Sequence, residues 1–427
     1  MKKILETILF FFIISLGVTK GQPGKWEISG KMPIRLSGSE SVVIDSTIYF
    51  FGGYSDSLQD VVDWIYSYKP IQDSWKFIGH MKKRRTNFIA DKMGSKIYCV
   101  GGEANNPPKS GGTLEEFDYK TLSSAIIDSN MQFNRLNSTG LIKDSTLFII
   151  GGMTYNPPSE TAPYIIEYNL PTKKITYNYI PIFHGLRTEQ MSSYLLKHIY
   201  IFGGLYNTVS GDIYSYGISD HQLILQHPGL LSYRANGRAI KLEDSNQVVI
   251  LGGFDEINTA LNSVEIYNFT DTIHYSSHFI QPLNFYRNDF MAIYFYGSIY
   301  VFGGEDNFKV PIDKIERLSF ITGIKETGNL APTEFKVEQN FPNPFNLSTI
   351  IRYNVPETST ISIKVYDMMG REVAILINGE KQPGNYSISF TGNGLASGVY
   401  YYRIKGETNK GTAGKSFTET KKMILLK

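Results

Sequence analysis

Short apolar runs, each closed by a pair of glycines, punctuate the first three quarters of the chain. They read Ile48-Tyr49-Phe50-Phe51-Gly52-Gly53, Ile97-Tyr98-Cys99-Val100-Gly101-Gly102 and Leu147-Phe148-Ile149-Ile150-Gly151-Gly152. The same pattern returns as Ile199-Tyr200-Ile201-Phe202-Gly203-Gly204, Val248-Val249-Ile250-Leu251-Gly252-Gly253 and Ile299-Tyr300-Val301-Phe302-Gly303-Gly304. Successive pairs lie 49, 50, 52, 49 and 51 residues apart. A run of four that is apolar at every position predicts a strand buried on both faces. An arginine keeps the same beat: Arg35, Arg85, Arg135, Arg187, Arg234 and Arg287 stand 17, 16, 16, 16, 18 and 16 residues ahead of their glycine pairs. A period near fifty holds four short strands and their turns, so each predicts one small twisted antiparallel sheet. A sheet buried on both faces must be sandwiched by neighbours. Radial repetition about an axis meets that need for every copy and leaves only short edges. The paired glycines let the backbone turn where a side chain would collide.

The ends of the chain follow other patterns. Trp26-Glu27-Ile28 stands before Arg35 much as Trp75-Lys76-Phe77 stands before Arg85. This predicts an outer strand at 26–29 that closes the ring on the third strand of the sixth repeat, near 315–320. After Phe320 the period stops. Residues 322–334 read as a polar linker. Alternating segments at 349–355, 360–366, 372–377, 385–390, 398–404 and 417–426, separated by turn residues, predict an antiparallel sandwich over 335–427. At the start, Lys2 and Lys3 precede an apolar run at 8–18 and small residues near Gly17 and Gly21. That is the form of a signal peptide over 1–21, leaving 22–321 for the ring. No later stretch is long and apolar enough to predict a membrane span.

Composition narrows the function. The 427 residues carry 42 Lys+Arg against 40 Asp+Glu, a net charge of +2, which offers no basic field for nucleic acid. The 29 Tyr, 26 Phe and 39 Gly favour strands and tight turns. A single cysteine, Cys99, excludes an internal disulfide. The seven histidines form no ligand motif, no nucleophile or dinucleotide motif appears, and neither a metal nor another cofactor is expected.

The period and the glycine pairs resemble the kelch repeat. So do Tyr68 and Trp75, an aromatic and a Trp at the kelch spacing after Gly-Gly. Later repeats keep the aromatic as Phe117, Tyr168, Tyr216 and Tyr267, while the Trp position becomes Ser124, Ile175, Leu223 and His274. The C-terminal segment resembles the type A sorting domain of the type IX secretion system. The resemblance rests on Asn340, Pro342, Asn343, Pro344, Phe345 and Asn346 in NFPNPFN, on Gly370 and Arg371 in IKVYDMMGREV, on Gly398 and Tyr400 in GLASGVYYY, and on the closing KKMILLK. Together they imply an all-β protein: a six-bladed kelch-type β-propeller followed by an immunoglobulin-like β-sandwich. They further imply transfer by the type IX secretion machinery to the cell surface or the medium.

The expected binding face follows from the hairpin geometry. The arginine precedes the first strand of each blade and Gly-Gly ends the second, so both lie at one end of the ring. The loops after Gly-Gly (54–63, 103–114, 153–163, 205–212, 254–261 and 305–312) share that end, and variable loops on a rigid frame are where function gathers. Candidate ligand contacts are the six arginines with Tyr54, Glu103 and Glu305. Arg offers a planar fork to carboxylates. The competing reading is architectural: each arginine satisfies backbone carbonyls of its blade neighbours. The expected partner is an extracellular protein or a glycan. Because some kelch propellers are enzymes, the resemblance also leaves a mutarotase-like enzyme acting on an acidic sugar as the rival.

Overall fold

The computed structural model describes residues 24–70, 72–102, 112–154, 161–162, 164–180, 187–243, 245–320, 334–340, 343–345, 348–381, 383–392, 394–408 and 416–426. The expected signal peptide, Glu103, Pro342, Asn346 and nearly all of the expected linker lie outside them. Among the described residues the chain is all-β apart from one 3-10 turn at Met131–Phe133, and its strands fall into two compact units.

The first unit contains six four-stranded antiparallel sheets. Their inner strands are Glu40–Ile44, Ile89–Met93, Thr139–Lys143, Met191–Leu195, Arg238–Lys241 and Met291–Phe295. The second strand of each ends at a Gly-Gly pair. Consecutive inner strands from the second sheet to the sixth touch one another, and the sheets form a β-propeller. In the sixth sheet the outer strand is Glu27–Lys31, paired antiparallel with Lys314–Ser319, Glu27 opposite Arg317.

The unbroken apolar runs have a simple cause. Alternate side chains of one strand face different neighbours. Leu147 and Ile149 pack toward the second blade with Tyr98, Val100 and Leu114. Phe148 and Ile150 pack toward the fourth with Ile199 and Ile201. Between the sixth and first blades, Phe302 meets the rings of Phe50, Tyr68 and Trp75. In the fifth blade the partner of the conserved-type aromatic differs from the sequence expectation. Tyr267 pairs in register with Ser277, and Tyr275, not His274, packs on its ring at 5.6 Å, because the turn at 270–274 takes His274 out of the strand.

The glycine pairs join neighbouring blades. Gly151 has φ +59°, and a Cβ there would lie 2.2 Å from the carbonyl oxygen of Arg187 in the next blade. The next amide, Gly152, donates to that same oxygen at 3.0 Å. The bond recurs from Gly53 to Arg85, Gly102 to Arg135, Gly204 to Arg234 and Gly253 to Arg287. It closes from Gly304 to Leu36, not to Arg35.

The second unit has a three-stranded sheet, Lys336–Val337, Ser348–Val355 and Gly384–Thr391, and a four-stranded sheet ordered Glu372–Lys381, Ser359–Asp367, Gly398–Thr408, Ser416–Leu425. Both bury side chains in one core that includes Val337, Ile351, Ile363, Tyr402, Met423 and Leu425. Among the described residues no helix is long and apolar enough to cross a membrane.

Candidate binding site

The repeated arginines turn inward. Arg85, Arg135, Arg234 and Arg287 are fully buried. Each donates through Nη1 to the carbonyl of the first glycine of its own blade: Gly101 at 2.6 Å, Gly151 at 2.9 Å, Gly252 at 2.9 Å and Gly303 at 2.6 Å. Each also reaches a carbonyl at the start of the third strand: Thr113, Tyr164, Ser263 just ahead of it, and Lys314. Three are paired with a buried glutamate: Arg85 with Glu115, Arg234 with Glu265 and Arg287 with Glu316. Those carboxylates accept backbone amides just ahead of the arginine, from Lys82 and Lys83, from Leu231 and Ser232, and from Asn284. The geometry supports the architectural reading for these four, with carbonyls of their own blade as the partners. Buried guanidiniums bonded to carbonyls present nothing to a protein or glycan at the loop face, and an unpaired buried charge would be costly.

Arg35 and Arg187 differ. Leu36, buried, holds the place of the repeat arginine in the first blade. That explains why Arg35 stands 17 residues ahead of Gly52 where the common spacing is 16. Arg35 lies half-exposed between Asp56 and Asp313, at 3.6 and 3.8 Å. Arg187 donates to Asp212 at 2.7 Å. Tyr54 begins the first loop and donates to Gln59. Glu305 bridges to Asn288 through the backbone, and burial raises its carboxyl above the usual range.

Two residues beyond each repeat position stands a ring the sequence reading missed: Gly38, Asn87, Asn137, Glu189, Asn236 and Asp289. All six have φ between +50° and +61°. Asn87, Asn137, Glu189 and Asn236 each donate an amide to the preceding member's carbonyl, and Gly38 donates to Asp289, at 2.7 to 3.2 Å. Asn and Asp tolerate this left-handed backbone best among residues with a side chain. The signal was visible as Arg-x-Asn/Asp/Glu. Within this ring Glu189 accepts from Asn137 Nδ2, and burial together with the Asp289 charge pushes its carboxyl up to about 7.

Behind the ring lies an axial cavity of about 170 Å³ lined from all six inner strands, by residues that include Glu40, Ala90, Thr139, Ser192, Arg238 and Ala292. Arg238 spans it, pairing with Glu40 at 3.0 Å and donating to the Phe290 carbonyl. Burial raises the Glu40 carboxyl against the pull of Arg238.

The loops carry what the arginines do not. Three turns open on an aspartate, Asp56-Ser57-Leu58-Gln59, Asp255-Glu256-Ile257-Asn258 and Asp306-Asn307-Phe308-Lys309, in the first, fifth and sixth blades, and the last two share one construction. The fourth residue of each is left-handed. In the last two, the aspartate accepts amides across the turn, from Ile257 and Thr259 and from Phe308 and Val310. The third residue of each points to solvent: Leu58 is 57% exposed, Ile257 82% and Phe308 85%. The turns are laced together. Asn307 Oδ1 accepts the Ala260 amide. Arg35 bridges the sixth blade to the first, and Arg84 donates to Asp60.

In the second unit the sorting-motif residues are mostly internal. Asn340 is buried, with its amide donating to Tyr402 Oη and its Nδ2 to Thr349 Oγ1. Asn343 Oδ1 accepts from Ile424, and the Phe345 amide donates to the Ile424 carbonyl. Pro344 is exposed between them. Gly370, φ +76°, turns the hairpin in which Arg371 meets Asp367 at 2.7 Å. Gly398 opens its strand, and Tyr400 donates to the Ala396 carbonyl.

Comparison with known proteins agrees with both units. Residues 35–82 match the kelch motif, and residues 339–417 match the secretion system C-terminal sorting domain. Kelch-like protein 15 of Mus musculus is 25% identical over 206 residues, covering 42% of this chain and 31% of that protein. Kelch-like protein 41a of Danio rerio is 26% identical over 130 residues, covering 30% and 21%. The chain thus spans under a third of the length of these curated relatives. A solved structure described as "Structure of YjhT" superposes with a TM-score of 0.59 at 10% identity, covering 70% of this chain and 98% of that one, a likeness of fold. The chain is a kelch-repeat β-propeller protein with a type IX secretion C-terminal sorting domain, which directs it to the cell surface or the medium.

Proposed function

We propose that the propeller is an extracellular binding protein that grips a protein partner through the loops of its fifth, sixth and first blades. The observation that supports this is the set of three braced turns displaying Leu58, Ile257 and Phe308. Large apolar side chains held in solvent mark interaction sites when they are grouped. The turns anchored by Asp255 and Asp306 hold the Ile257 and Phe308 tips in place before binding, which lowers the entropy cost of docking. On the turns the acidic side chains are Asp56, Asp255, Glu256 and Asp306 against Lys309, and only Asp56 among them is paired with an arginine, Arg35. The complementary partner therefore has an apolar pocket with a basic rim. A glycan is the alternative occupant of the same face.

An enzyme acting on an acidic sugar in the axial mouth is the weaker reading. Glu189 and Arg238 supply a proton-exchanging group and a cation there. However, about 170 Å³ falls short of the roughly 300–1,000 Å³ typical of pockets that enclose a small molecule.

The test is a binding screen of the full exported chain against arrayed secreted proteins and arrayed glycans from its habitat. A protein ligand is expected whose affinity drops at least about tenfold in the L58S/I257S/F308S variant, since each buried apolar side chain contributes about 1.5–3 kcal/mol. The melting temperature should not change. A ligand indifferent to all three substitutions overturns the reading.

A further inference from the structure

The third blade breaks the arginine–glutamate rule. In the second, fifth and sixth blades the glutamate stands opposite Cys99, Ile250 and Val301 of the Gly-Gly strand. The same register position in the third blade, opposite Ile149, is Ile166. Arg135 nevertheless stays, 1% exposed. Its Nη1 is bonded to the Gly151 and Tyr164 carbonyls, and its guanidinium lies 5.7 Å from the centre of the Tyr164 ring. Its Nε and Nη2 have no partner among the described residues. These are the atoms that meet the carboxylate elsewhere: Nε in Arg287, at 2.8 Å from Glu316, and Nη2 in Arg234, at 2.5 Å from Glu265. Burial lowers the Arg135 pKa only to about 10, so the group stays cationic at neutral pH.

A buried cation without a counter-charge is strongly unfavourable. Among the described residues, the third blade keeps the cation and the donor pair and has no carboxylate at the register position where the second, fifth and sixth blades carry glutamate. The segment ahead of Arg135 is also rebuilt. It is a 3-10 turn capped by Asn130, which accepts the Gln132 amide. Gln132 Oε1 is buried without a partner among the described residues.

We propose that the third blade binds a small monovalent anion, of chloride or formate size, against Nε and Nη2 of Arg135, in the place of the glutamate carboxylate of the second, fifth and sixth blades. The anion is part of the frame, so its readout is stability. Binding to the folded state alone raises the melting temperature by mass action.

The experiment is thermal unfolding of the full chain at constant ionic strength. Chloride or formate replaces gluconate, which is too large for a fully buried site. A saturable rise in melting temperature with either small anion is expected, and the comparison of the two tells halide from carboxylate. Ile166→Glu restores the internal carboxylate. It should melt in gluconate at or above the wild-type value in chloride and show no anion response. Ile166→Val should keep the response. If Ile166→Glu does not fold, anomalous scattering from bromide-soaked crystals decides, with a bromide peak expected within about 3.5 Å of Nε or Nη2, an ordinary contact distance. Equal wild-type melting in chloride, formate and gluconate, or no bromide beside Arg135, overturns the proposal.

Discussion

At the scale of the residue, repetition and function separate. A side chain that recurs once per blade answers a need that recurs once per blade. Here the need is to satisfy carbonyls at the Gly-Gly turn and a third-strand carbonyl beside them. Arg287 does so with Nη1 and Nη2, and its Nε meets the Glu316 carboxylate that neutralises it. The position of these arginines was legible in the sequence, and their direction was not, because spacing fixes which end of a strand a residue occupies but not whether its head turns in or out. The Leu36 exception was legible only as one extra residue in the spacing. The Glu189 ring makes a pH prediction. Its carboxyl titrates near 7 in the folded state and near 4.5 unfolded, so the folded state holds the proton more tightly. Stability from this group is fully present below about pH 4.5 and is lost as pH rises through 7. The charged groups facing it are Asp289 and, in the cavity behind, Glu40 and Arg238. Glu189→Gln should therefore melt above the wild type at pH 8, with the gap narrowing toward pH 5. Parallel melting curves of the two proteins across that range would contradict this.

At the scale of the element, the ring is held shut by a strand that comes first in the chain and pairs with the last. Glu27–Lys31 hydrogen-bonds to Lys314–Ser319. Trp26 packs in the core between the fifth and sixth blades and donates through Nε1 to the Gln281 carbonyl, and Arg317 pairs with Glu27 at 2.8 Å. Deleting residues 24–31 exposes the edge of Lys314–Ser319 and opens the Trp26 site. Loss of a buried aromatic alone costs about 3–5 kcal/mol. The expected outcome is a large fall in melting temperature and a tendency to associate through the bared edge, measured by calorimetry and light scattering. An unchanged melt would mean that the closure is not what holds the ring. This closure could be read in the sequence because the Trp26 and Trp75 segments carry the same local pattern. The three apolar loop tips could not be read in the same way. Leu58, Ile257 and Phe308 share no residue type, and only the structure shows that each tips a turn with a left-handed fourth residue and stands exposed.

At the scale of the whole molecule, the sorting unit explains why its motifs lie at opposite ends of its sequence. Residues Asn343 and Phe345 bond to Ile424, and Leu426 returns an amide to Phe345. The NFPNPFN and KKMILLK segments are therefore one structural feature. The last strand also fills the shared core with Met423 and Leu425. A sequence match sees two motifs, whereas the hydrogen bonds join them into one. Removing residues 422–427 should then stop export as fully as removing the entire unit from 334 onward, although it leaves NFPNPFN intact. The measurement is fractionation of the native host: both truncations are expected to leave the propeller on the inner side of the outer membrane. Wild-type amounts of the shorter truncation at the surface or in the medium would show that the first motif is read without its partner strand, and that the pairing supports the fold alone.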